Sequence, residues 1–315
     1  VAALPAANAV WQASSLKEEV DALLADPASP THLLAGTYNG IWESTNGGLT
    51  WKRTPTTPHG VGFMAFSAAP DGSSLYAGGS NGVIYDENQH AGAGWQPMSH
   101  ALGGGNPIFS LAAAPDGRHI LLAGTVGGLF RGVESGAAWQ WKKVADSGDS
   151  SVPAIAWVPW QPGVAYATIF GTAPAALRTT DSGRTWKPAT QGLPATIPAE
   201  ALLAVASPQR TIILSTMGFG VWRLGANGAW TDVSGNLPEH HGMPLTASSG
   251  GQLVYTGTMG SGVFGVRSTA SHWQLLGKNL IGPQYIVLSL AVVHTSRPEL
   301  IAGTSVGVFR YPLAG

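Results

Sequence analysis

The sequence predicts an all-β protein, a seven-bladed β-propeller with four antiparallel strands per blade. Three observations carry that prediction: two repeating markers of one period, and an offset between them at the chain ends.

The first marker is a strand of small and apolar residues, then a Thr, a Gly turn and an apolar pair. It reads LLAGTYNGIW (33–42), LYAGGSNGVI (75–84), LLAGTVGGLF (121–130), ILSTMGFGVW (213–222), VYTGTMGSGVF (254–264) and LIAGTSVGVF (300–309). A looser copy, AYATIFGTAPAAL (165–177), fills the gap, so Thr37, Gly79, Thr125, Thr168, Thr216, Thr258 and Thr304 correspond. The second marker is a Trp opening a short polar strand: Trp11, Trp51, Trp95, Trp139, Trp186, Trp230 and Trp273, with Trp141 as an alternative register for the fourth. Both recur about every 44 residues, which is the period of a four-stranded propeller blade. Alternating apolar positions and Gly, Asn, Asp and Pro turns support strands throughout.

The ends of the chain supply the third observation. Trp11 has no Thr marker before it, and Thr304 has no Trp after it. The segment 8–14 is therefore expected to be the outer strand of blade 7, closing the ring and removing its open edges. The blades fall at about 19–56, 61–100, 107–146, 152–190, 200–234, 243–277, and 285–315 plus 8–14, as one domain. SSLKEEVDALLAD (14–26) reads as a helix locally, with Ser15 and Glu18 as a capping box. The repeat places an inner strand from about Glu19 and leaves room for a helical turn only over 14–18.

Composition agrees. Charged residues are 10% of the chain against about a quarter in ordinary domains, and Gly is 43 of 315 residues. Few charges and many glycines suit short buried strands joined by tight turns. A net charge of −1 gives no general attraction to nucleic acid or an anionic membrane. The absence of Cys excludes disulfides, thiolate metal sites and Cys nucleophiles. No uninterrupted apolar run of about eighteen residues is present to span a membrane. The small-residue start VAALPAANAV is compatible with a mature end left by signal cleavage.

TTDSGRTW (179–186) and STNGGLTW (44–51) have the form Ser/Thr-x-Asp/Asn-x-Gly-x-Thr-Trp, and GVESGAAW (132–139) keeps Gly136 and Trp139 with Glu134 at the acid place. This pattern resembles the Asp-box, or bacterial neuraminidase repeat. Similar propellers include sialidases, two-propeller xyloglucanases, sortilin-type receptors and photosystem II assembly factors. The resemblance implies a structural role for Asn46, Gly48, Trp51, Asp181, Gly183 and Trp186, in hairpins between third and fourth strands and opposite the usual ligand face. A rule follows: what repeats with the blade is architecture, and what breaks the repeat is a functional candidate. The rule assigns Arg131, Arg178, Arg223 and Arg310 to the outer ring, and the leucines of QGLP, GNLP and KNLI to blade junctions.

The loops that join blades break the repeat, and they share the ligand face. They carry Lys17, Glu18, Glu19, Arg53, His59, His100, Asp146, Asp149, Glu200, Glu239, His240, His241 and Lys278, with Asp21 at the start of the first inner strand and Tyr285 at the last loop's end. The acids outnumber Lys17, Arg53 and Lys278, so the face suits a neutral glycan, a cation or a basic segment. Photosystem assembly factors would instead imply a basic patch.

Asp21 and Glu200 both open inner strands, and a pair of carboxylates at a channel mouth is the minimum for glycoside hydrolysis. The plainer reading makes them solvated loop acids. Glu239, His240 and His241 are candidate metal ligands or a base with its orienting carboxylate, though a metal needs further ligands from remote blades. A sialidase would need a cluster of inward arginines, and only Arg53 lies on this face. The expected function is therefore a non-enzymatic scaffold binding a protein, peptide or neutral glycan. The alternative is a glycoside hydrolase or polysaccharide lyase using Asp21, Glu200, His240 or His241. No cofactor or metal is expected, a monomer is expected, and the expected location is extracellular or periplasmic.

Overall fold

The computed structural model describes residues 9–88, 93–136, 138–172, 174–206, 208–240 and 242–313. Their strands form seven antiparallel sheets of four strands each. The innermost strands neighbour one another in cyclic order, blade 1 meeting both blade 2 and blade 7. Six blades take four consecutive strands. The seventh takes Val287–Val293, Glu299–Thr304 and Gly307–Pro312, and is completed by Gln12–Ala13 from the other end of the chain. Gln12 lies opposite Arg310 and Ala13 opposite Phe309.

The core consists of seven apolar clusters, each at a junction between blades. A Trp at the start of an outer strand closes six of them against the preceding blade. Trp11, Trp51, Trp95, Trp186, Trp230 and Trp273 are all buried. Backbones also approach closely there. A Cβ on Gly36 of blade 1 would collide with the Phe63 carbonyl oxygen of blade 2, which accounts for the small residue at this place in the marker.

The marker Thr has a distinct task. It is buried, and its hydroxyl donates to a carbonyl across the turn joining second and third strands. The pairs are Thr37–Gly40, Thr125–Gly128, Thr216–Gly220, Thr258–Gly262 and Thr304–Gly307, at 2.7–3.1 Å. The same oxygen accepts a turn N–H in each case. These turns are thereby stiffened from beneath.

Three local readings of the sequence change. First, 14–18 forms no helical turn. Ser15 Oγ accepts the Trp51 N–H instead of capping, Leu16 and Val20 enter the blade 7–blade 1 core, and the inner strand is Ala22–Ala25. Second, blade 4 is shifted by one residue. Ala165, Ala167 and Ile169 face blade 3, so Ile169 rather than Thr168 occupies the marker position. Third, the hairpin of blade 3 is no Asp-box. Its ladder continues to Ser135 opposite Ala138, so Glu134 lies in a strand opposite Trp139 and pairs with His119 at 2.7 Å. Trp139 and Trp141 stack at 5.9 Å, the latter over Gly132.

Candidate functional site

The second and third strands of each blade meet at the end of the ring where the inner strands begin. That end, the top face, carries the inter-blade loops and opens into a central channel of about 630 Å³. Inner strands bulge as they enter it: the pairing register skips Met64, Phe109, Glu200 and Leu288 in blades 2, 3, 5 and 7. Asp21, Pro153 and Met243 take the equivalent places in the other blades. Val20 and Val152, which precede Asp21 and Pro153, donate to Thr304 O and Thr125 O as Val287, which precedes Leu288, donates to Thr258 O, and Met243 N–H donates to Gly257 O as Asp21 N–H does to Gly36 O. A bulge turns an extra residue out of the ladder. All seven therefore line one ring at the channel mouth, and it holds five apolar side chains and two carboxylates.

The two carboxylates stand in a poorly solvated place. Burial, and after it the charge of Glu19, its near neighbour in the chain, raise the Asp21 pKa to about 6. Burial also raises Glu200. Desolvation disfavours the charged form, and a charged partner would pull the other way.

Around this mouth the top face is apolar. Nine large hydrophobic side chains are exposed among the described residues, and seven belong to this face. Tyr38, Val126, Phe170, Phe219, Met259 and Val306 lie in the Thr-stiffened turns or their blade 4 equivalent, and Ile281 in the loop between blades 6 and 7. Tyr38 is 72% exposed. Single exposed hydrophobics are ordinary, whereas a set gathered on one face marks an interaction surface. The repeat rule passed over these residues because they follow the marker. The signal was present: Tyr, Val, Phe and Met stand in turn positions where Asn, Asp or Gly is the usual choice.

The other predicted residues have varied surroundings. Arg53 donates from Nε to Asn39 O at 2.7 Å, which ties down the Tyr38 turn. Asp146 accepts the Trp186 N–H at 2.8 Å, as Ser15, Thr56, Asn236 and Asn279 do for Trp51, Trp95, Trp273 and Trp11. Asp149 pairs with Lys143. Tyr285 packs edge-on against Phe309 at 5.7 Å. His59, His100, His240 and Lys278 are exposed and do not line the channel. His240 has φ +53°, and its carbonyl accepts the Gly220 N–H beneath Phe219. Glu239 lies in the short 3-10 turn Pro238–His240, and His241 lies outside the described residues. Among the described residues no group of three or more His, Asp or Glu is arranged to hold a metal ion.

The opposite face carries the Asp-box-like hairpins, and in blades 1 and 4 the polar side chains of the hairpin bond to one another and to its backbone. Gly183 N–H donates to Thr179 Oγ1 at 3.0 Å, and Gly183 has φ +80°. Desolvation works to raise the Asp181 pKa. Hydrogen bonds from Thr185, Thr179 and Arg184 outweigh it and hold the pKa at about 2. Asn46 spans the same gap without the charge, its Oδ1 accepting the Thr50 N–H and its Nδ2 donating to Thr50 Oγ1. Trp51 and Trp186 donate to Gly48 O and Gly183 O.

No family model matches the chain, and no curated protein matches it. Solved structures do resemble it. A GH74 xyloglucanase from Xanthomonas campestris aligns over 96% of this chain with a TM-score of 0.71 and 16% identity. The extracellular domain of a putative hybrid two component system from B. thetaiotaomicron aligns over 96%, with a TM-score of 0.73 and 13% identity. The Cps50 (Swd1) β-propeller domain from Myceliophteria thermophila aligns over 97%, with a TM-score of 0.72 and 10% identity. The chain spans 53% of the xyloglucanase, 39% of the sensor domain and all of the Swd1 domain. At such identities the likeness establishes the seven-bladed fold alone.

Proposed function

We propose that this chain is a non-enzymatic binding propeller that engages a protein or peptide partner across its top face. The observation that carries the reading is the gathering of seven of nine exposed large hydrophobic side chains on that face. Burying one such side chain contributes about 1.5–3 kcal/mol, so a few of them suffice as anchors for a specific interface. Five of them, Tyr38, Val126, Phe219, Met259 and Val306, stand on turns held by buried Thr hydroxyls, which lowers the ordering cost of association. A propeller of this size is a rigid platform, and known propellers of this shape include extracellular sensor domains. An extracellular or periplasmic setting fits that company, and the chain is expected to act as a monomer.

The test replaces Tyr38, Phe170 and Phe219 together by Ser. Capture from the source organism's extract is compared with the unaltered protein, and crosslinking maps the contacts. One stoichiometric protein partner, crosslinked to the top face and lost with the triple variant, is the expected result. Retention of that partner by the variant would sink the reading.

A second reading has one observation in its favour: Asp21 and Glu200 share the channel, and Asp21 is poised at a pKa of about 6, near that of a working general acid. In this alternative the chain is a glycoside hydrolase or lyase acting on a neutral glycan. Release of reducing ends from a panel of neutral polysaccharides, abolished by Asp21→Asn and by Glu200→Gln, would establish it in place of the binding reading.

A further inference from the structure

We infer that the channel mouth receives a basic side chain, lysine or arginine, projected from an apolar stretch of the partner polypeptide. The inference rests on the binding reading above and names the partner's chemistry.

The first ground is charge. Asp21 and Glu200 are the two polar members of an otherwise apolar ring, and both line the channel. Among the described residues, the lysines and arginines of the top face are elsewhere. Arg53 is committed to the Asn39 carbonyl, Lys143 pairs with Asp149, and Lys17 and Lys278 are exposed away from the channel lining. Half-buried carboxylates without a counter-charge are a cost to the fold. Their raised pKa values express that cost. A bound cation would offset it.

The second ground is the surround. The apolar crown encircles the acids, so a peptide seated on it has its own apolar side chains beside the mouth and one side chain over the channel. Water is then displaced from around the two carboxylates, which strengthens their attraction for a cation and their rejection of an acidic or neutral polar group. Long Lys and Arg stems suit such a place, because their methylenes pack on apolar walls while the charge reaches the acids. Binding by the crown alone would select hydrophobicity. The ring adds selection for charge sign.

The experiment uses a display library of random dodecapeptides, selected on the full chain and counter-selected on the Tyr38→Ser, Phe170→Ser, Phe219→Ser variant. Enriched peptides are expected to share a Lys or Arg flanked by apolar residues. Replacing that basic residue by Gln is expected to weaken binding at least tenfold by fluorescence anisotropy. The same selection on Asp21→Asn, Glu200→Gln protein is expected to keep the apolar preference and lose the basic residue. Thermal melting checks that this double variant folds, and relief of desolvation predicts a higher Tm than the parent.

Enriched peptides that are apolar without a basic residue overturn the inference and leave the binding reading standing. Failure to enrich any peptide over the counter-selected variant overturns both. So does a dimer dissociated by the same three substitutions, or retention on an array of neutral glycans in place of peptides.

Discussion

Asp181 and Asp21 are the same residue type on opposite faces of one ring, and their surroundings drive them in opposite directions. Asp181 gathers hydrogen bonds from Thr179, Arg184 and Thr185 and is held at about 2. Asp21 is half-buried near Glu19 and is lifted to about 6. The first carboxylate finishes a hairpin. The second is left short of a partner by the fold itself. The contrast separates groups whose interactions close within the chain from groups whose interactions remain to be completed from outside.

The largest expected effect tests the scaffold side. Trp186 is 4% exposed and wedges blade 4 against Ile120 and Leu122 of blade 3. Trp186→Ala is expected to destabilise by about 4 kcal/mol, from lost burial and the cavity left behind. Urea unfolding measures it, and a cost under about 1 kcal/mol would mean that the hairpin's Trp is not a structural wedge.

The next effect has the opposite sign. Asp21 has a folded pKa of about 6 against an ordinary value of 3.8. Its ionisation therefore costs nothing below about pH 3.8, and stability is lost as pH rises through about 6. Asp21→Asn is expected to gain roughly 2 kcal/mol at pH 8, the shift being discounted for solvent screening of a half-buried group, and well under about 1 kcal/mol at pH 4. Equal effects at both pH values would remove the argument that Asp21 is an unsatisfied charge.

The smallest effect sharpens the comparison within one face. Asp181→Ala is expected to cost about 2 kcal/mol, since it removes several hydrogen bonds to a charged acceptor. Asn46→Ala in blade 1 removes neutral bonds of the same geometry and should cost about 1 kcal/mol. The order of the two, read from the same unfolding curves, checks that charge sets the difference.

The architecture was legible because each blade reuses a few residues that its geometry demands: a Trp at the junction, a Thr beneath the turn, a small residue where the next blade crowds in. Physics repeats there, so letters repeat. Where one task is done by different residues, the repeat is hidden. Asp146, Ser15, Thr56, Asn236 and Asn279 all accept a Trp N–H, and only Asn236 and Asn279 share a letter. The ring at the channel mouth is hidden in the same way, since a bulge fixes where a side chain points without dictating what it is. Asp21 and Glu200 could be singled out as carboxylates opening inner strands, but their apolar companions could not. Glu134 misled for the reverse reason. It sits at the spacing of a box acid, yet the longer hairpin of blade 3 carries it into a strand, where His119 is its partner.

The closing strand has a mechanical consequence. Gln12–Ala13 is joined to Gly307–Pro312 by two residue pairs, continued by Ser14 N–H to Val308 O and Val308 N–H to Leu16 O, and the two strands run antiparallel. Tension applied through Val10 and Leu313 would load these pairs one after another, as a zipper is opened, rather than all at once in shear. The indole of Trp11, donating to the Leu276 carbonyl at 2.6 Å, is the catch ahead of the zipper. Under pulling force the ring should therefore part first at blade 7, at low load, and the other six blades should follow from that breach.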